Sequence, residues 1–130
     1  MKIEFGRIVV LVKDYDEALN FYKTALDCKV IFDQVTPEGK RYLHIGFKKR
    51  DLVGIWFLKA ETEEELARVG HQTMEQPLFV LYTDNLEKVY QRLKDNQVKI
   101  NKQPTITPGY KFLHFLDLYG NEVILVEMGK

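Results

Sequence analysis

A chain of 130 residues with 45% hydrophobic and 29% charged residues suits one compact domain with a core of its own. Lysine plus arginine balances aspartate plus glutamate at 19 each, which gives no support to a nucleic-acid or membrane-surface partner. The single cysteine, Cys28, excludes an internal disulfide and a thiolate zinc cluster. No apolar run approaches the roughly 18 residues of a membrane span, and no signal-peptide apolar segment follows Met1, so a cytoplasmic protein is expected.

Residues 7–12 read as a buried strand, short and β-branched, with Arg7 at its mouth. Asp14 is a helix N-cap, with Glu17 three residues on as a capping box. Ala18, Phe21, Tyr22 and Ala25 form one apolar helix face, and Asp27 ends the helix. Three strands follow: KVIFDQV, RYLHIGF after the turn TPEGK, and LVGIWFLKA. In residues 60–77, Thr62 with Glu65 makes a second capping box and Gly70 a natural C′ residue. That suits a short exposed helix, but the charge run favours a polar linker.

The order then repeats. LFVLYT is a strand, and Asn85 or Asp84 caps a helix carrying Leu86, Val89, Tyr90 and Leu93. QVKINKQ is extended, TPGY is a turn, and KFLHFLD and EVILVEM are strands. Asp14 superimposes on Asn85 at an offset of 71, and GKRYLHIGF matches GYKFLHFLD at an offset of 70. The expected class is α+β: two βαβββ modules, about 1–59 and 78–130, joined by a linker at about 60–77.

VLVKDYDEALNFYKTAL and the later DLYGNEVILVE resemble the opening and closing motifs of the vicinal oxygen chelate superfamily of glyoxalases, bleomycin-resistance proteins and extradiol dioxygenases. The resemblance covers nearly the whole chain. It implies an open, incomplete β-barrel with helices on the outer face and a cavity on the inner one, within a homodimer. It also implies a divalent metal held by histidines and glutamates on four strands. The first ligand position, seven residues before Asp14, is Arg7; its repeat partner is Leu78. The glutamate positions fall on Ile124 and near Trp56. None of these side chains ligates such a metal, so neither metal nor cofactor is expected.

A guanidinium at Arg7 could take the metal's place as the fixed positive charge and bind a carboxylate or phosphate. Alternatively, Arg7 pairs with Glu122 or Glu4, or reaches solvent at the strand end. Strand alternation sorts the remaining side chains. If Arg7 faces the cavity, so do Val9, Leu11, Leu78, Val80, Tyr82, Trp56, Leu58, Ile124 and Val126. Leu43, Ile45 and Phe47 then face the helix, which leaves Tyr42, His44, Phe112 and His114 on the cavity side. Arg7, Tyr42, His44, Trp56, Tyr82 and His114 are the candidate ligand-binding residues; core filling is the plain alternative for Trp56 and the tyrosines. Catalytic residues are not assigned.

The leading reading is a glyoxalase/bleomycin-resistance-like protein holding a small organic molecule, aromatic and in its sharpest form anionic. The alternative is a metal-dependent lyase or dioxygenase using displaced ligands such as His44 and His114, with Glu127 as a third, or a proton-transfer role for one histidine. The absence of serine rules out a Ser-His-Asp triad, and the eight scattered glycines form no phosphate loop. His71, in the linker, is expected to be exposed.

Overall fold

The computed structural model describes residues 1–129. The chain divides into two compact units, Met1–Val69 and Gly70–Lys130. The first holds β1 (Arg7–Val12), α1 (Tyr15–Leu26), β2 (Lys29–Val35), β3 (Arg41–Gly46), β4 (Gly54–Lys59) and α2 (Glu63–Arg68). The second holds β5 (Phe79–Thr83), α3 (Leu86–Asp95), β6 (Ile100–Ile106), β7 (Tyr110–Leu116) and β8 (Glu122–Met128). This is an α+β architecture with one open four-stranded sheet in each unit.

The two sheets share a topology. The orders are β1-β4-β3-β2 and β5-β8-β7-β6, with the first pair of each parallel and the others antiparallel. A parallel pair needs a crossover connection, and the amphipathic helix after each first strand begins it. Asp14 caps α1 by accepting from the Glu17 N–H, and Asn85 caps α3 by accepting from the Lys88 N–H. Asp27 ends α1 in the left-handed conformation at φ 56°.

One face of each sheet is closed by its helix. Val10, Val12, Leu43, Ile45 and Phe57 are buried in the first unit, and Tyr22 of α1 meets Phe57 edge-on at 5.4 Å. In the second unit Leu86 and Leu93 of α3 are buried, as are Leu113, Phe115, Val123 and Leu125 of the sheet. Side chains of this size contribute about 1.5–3 kcal/mol each when fully removed from water. The alternation therefore holds along β1, β3, β4, β5, β7 and β8, and among the residues sorted by it the exception is Phe47. It was expected on the helix side, but it lies beyond the end of β3 and is exposed.

One segment differs from expectation, and one strand has shifted bounds. The stretch read as a polar linker contains α2, whose capping box is fully formed. Thr62 Oγ1 accepts from the Glu65 N–H, and Glu65 Oε1 accepts from the Thr62 and Glu61 N–H groups. These bonds hold the Glu65 carboxyl below the usual carboxylate range. Reciprocal capping outweighs the repulsion of Glu63, Glu64 and Glu65, which also sit favourably at the helix N-terminus. The extended segment QVKINKQ becomes β6, which starts at Ile100 and runs on through Pro104 to Ile106. Pro104 is tolerated because β6 is an edge strand and its register is irregular between Lys102 and Thr105.

Candidate functional site

The side of the first sheet turned away from α1 carries four of the six candidate residues. Val9, Trp56 and His44 lie side by side on β1, β4 and β3. The rings of His44 and Trp56 are 5.5 Å apart, and those of Tyr42 and Trp56 are 5.8 Å apart. Arg7 reaches the same cluster. Its Nε–H donates to His44 Nδ1 at 3.1 Å, and its Nη1 donates to the carbonyls of Gly6 and Leu52. The partner of Arg7 is thus a histidine, not an acid. Glu4 pairs with Lys2, and Glu122 is engaged by Asn101 and His114.

This contact fixes the chemistry of His44. An arginine Nε always carries its hydrogen, so Nδ1 must offer a lone pair and the imidazole is neutral with its hydrogen on Nε2. Burial and, secondarily, the Arg7 charge push the His44 pKa below its usual value. Nε2 is enclosed and has no hydrogen-bond partner among the described residues. Phe32 forms the remaining wall, with its ring 5.3 Å from that of His44.

Phe32 was missed in the sequence because β2 is bulged. Val30 pairs with Ile45, so an unbroken ladder would set Phe32 opposite Leu43 on the helix side. The irregularity at Ile31 sets it opposite His44. The second sheet repeats the feature: Ile100 pairs with Phe115 and Lys102 with His114.

In the second unit, His114 lies opposite Ile124, as His44 lies opposite Trp56. It contacts Phe112 at 5.7 Å between rings and Glu122 at 3.5 Å, and Asn101 donates to the same carboxylate. Tyr82, on β5, is 73% exposed. His71 is exposed, as expected.

The divalent-metal chemistry implied by the resemblance has no donor set at the corresponding positions. Val9 pairs with Trp56 and Val80 with Ile124, so the two modules keep the same register while presenting only Arg7, Trp56, Leu78 and Ile124 there. Glu127, the third member of the displaced set, accepts from the Leu86 N–H at the start of α3 and pairs with Lys111. No group of three or more histidine, cysteine, aspartate or glutamate side chains that could hold a metal ion occurs among the described residues.

A groove of about 680 Å³ lies at the other ends of β1 and β4 from Arg7, lined by Tyr15, Val35, Lys40, Arg41, Leu58 and Glu65 among others. It contains none of the candidate residues. Of its cations, Arg41 is committed: both oxygens of Asp33 accept from it in a fork, and Asp16 accepts from Nη1. The closing motif is structural as well. Asp117 and Asn121 are buried, and Asp117 accepts from the Tyr119 and Asn121 N–H groups and from Asn121 Nδ2, closing a turn at Gly120 with φ +95°.

Among curated proteins, the chain is 29% identical over 122 residues to an uncharacterized protein of Shewanella frigidimarina, covering 93% of this chain and 90% of that one. Among solved structures it is similar to UcmS2, with a TM-score of 0.83, 26% identity and coverage of 97% and 98% of the two chains. It also shares its fold with TnmS3, an antibiotic-binding protein from Streptomyces sp. CB03234, with a TM-score of 0.76, 21% identity and coverage of 98% of each chain. A sequence model of the Glyoxalase/Bleomycin resistance protein/Dioxygenase superfamily matches residues 4–125. With the duplicated βαβββ topology, that match places the chain in the Glyoxalase/Bleomycin resistance protein/Dioxygenase superfamily.

Proposed function

We propose that this protein binds a small aromatic organic molecule without using a metal, on the sheet face formed by Arg7, Tyr42, His44 and Trp56, and that it does so as a cytoplasmic homodimer. Tyr82 and His114 are proposed as the second module's contribution to ligand binding. The observation that carries the reading is the single cluster made by a fixed cation, an imidazole and two large rings on a sheet face that α1 does not cover. Flat rings stack on such a surface, and a few placed polar groups orient them. The antibiotic-binding neighbour of the same fold supports a binding role, and the family positions for a metal carry side chains that do not ligate one.

An anionic ligand is favoured. His44, Gly6 and Leu52 engage Nε and Nη1 of Arg7, and Nη2 is the end of the guanidinium left to meet a carboxylate. One charge-assisted hydrogen bond there contributes roughly 1.5–3 kcal/mol. The test is thermal shift with 2-naphthoic acid and its amide. The acid should raise the melting temperature more than the amide does, and Arg7→Met should abolish the difference. If the acid gives no stabilisation, or the variant keeps the same ranking, Arg7 is only a strand-end charge tied to His44.

A further inference from the structure

The Arg7–His44 contact does more than place a positive charge. Because Arg7 can only donate, it forces the imidazole to keep its hydrogen on Nε2. That N–H lies inside a wall of aromatic rings and finds no acceptor among the described residues. A buried donor without a partner is costly, and a ligand oxygen that satisfied it would recover that cost. No aspartate or glutamate among the described residues serves as its acceptor, and the charged neighbour of the imidazole, Arg7, sits on the other ring nitrogen, Nδ1.

We propose that Arg7 and His44 act as one recognition unit, in which Arg7 locks the tautomer and His44 Nε2–H reads an acceptor oxygen of the ligand. The proposal rests on small-molecule binding at this face and adds a rule of selection. A ring system bearing a carbonyl or carboxylate oxygen is taken, and the same ring system without an acceptor is rejected. Access to Nε2 runs past Phe32. Phe32 is 44% exposed and stands on the edge strand β2, so its ring can turn aside without disturbing the core, whereas Trp56 is held between Tyr42 and His44. Arg7 is a positioning residue here, and His44 makes the contact.

A matched pair of uncharged probes isolates the imidazole from the guanidinium charge: 2-acetylnaphthalene, which has an acceptor, and 2-ethylnaphthalene, which does not. Calorimetry should show the ketone binding the wild type about tenfold more tightly, the value of one ordinary hydrogen bond. His44→Phe, which keeps an aromatic ring, should reduce that ratio to about one. Nitrogen-15 NMR of the ligand-free wild type should find the hydrogen on Nε2, and Arg7→Met should give a mixture of tautomers. Adding the ketone should shift the Nε2 proton downfield, and adding the hydrocarbon should not. This readout uses the wild type and decides the matter even if His44→Phe does not fold. A hydrogen on Nδ1 in the wild type, or an unchanged ratio in His44→Phe, overturns the proposal. Equal binding of both probes to the wild type also overturns it but leaves binding at this face intact. Failure of both probes to bind the folded protein overturns the binding reading itself.

Discussion

His44 is half-buried, and its surroundings disfavour its charged form. In the unfolded chain its imidazole takes up a proton near the ordinary histidine value, about 6.5. In the folded protein, burial and Arg7 hold the pKa lower. The contribution to stability is therefore fully present above about pH 6.5, is lost as the pH falls from there toward the folded pKa, and falls no further below it. Urea unfolding between pH 8 and pH 5 should show this loss, and His44→Phe should flatten that part of the profile. A wild-type profile no steeper than the variant's would show that His44 is as free to charge in the fold as outside it. The Asp33–Arg41 pair acts in a lower window. Arg41 holds the Asp33 carboxyl below its usual range, so its contribution, modest for a side chain 37% exposed, is lost only as the carboxylate protonates in stronger acid.

At the scale of elements, the exit from α2 depends on one glycine. Gly70 follows the cap residue Val69 and sits at φ +81°, a conformation that costs an L side chain energy. A Cβ there would also clash with the Tyr119 carbonyl oxygen, which belongs to the backbone of the Asp117–Asn121 turn. Neither group yields cheaply. Gly70→Ala should destabilise the protein by roughly 2–4 kcal/mol, combining left-handed strain with overpacking. The measurement is the urea midpoint at unchanged slope; a midpoint equal to the wild type's would show that the turn can move away.

At the scale of the whole molecule, each unit carries a sheet with one face closed and one face partly open. Val9 and Phe32 in the first unit, and Val80 and Tyr82 in the second, are exposed apolar side chains of this open side. The strands β1, β2, β5 and β6 are edges of their sheets. Exposed apolar faces and sheet edges favour association, and a two-fold interface is the commonest way to cover them. Sedimentation at tens of micromolar, on the order of the concentrations at which stable interfaces stay closed, should give twice the 15.3 kDa chain mass. A single species at the chain mass would contradict the proposed homodimer.

The sequence by itself determined the duplicated βαβββ order, the capping of α1 and α3, and which side of β1, β3, β4, β5, β7 and β8 faces the helix. These follow from local periodicity and cap chemistry, which a short stretch expresses fully. Leu43 and His44 were sorted to opposite faces by alternation, and Leu43 is indeed buried on the helix side. Tertiary structure decided the partner of Arg7, because His44 is 37 positions away in the chain and competes with carboxylates that charge alone would favour. It also decided the place of Phe32, since a one-residue bulge reverses strand parity without a local signal. The balance in α2 between cap hydrogen bonds and acidic repulsion was likewise settled only in the fold, where Thr62 and Glu65 close on each other. The motifs that placed the chain in its superfamily reside in turns and helix starts. The chemistry of the proposed site resides in contacts between strands, which no single stretch of the sequence contains.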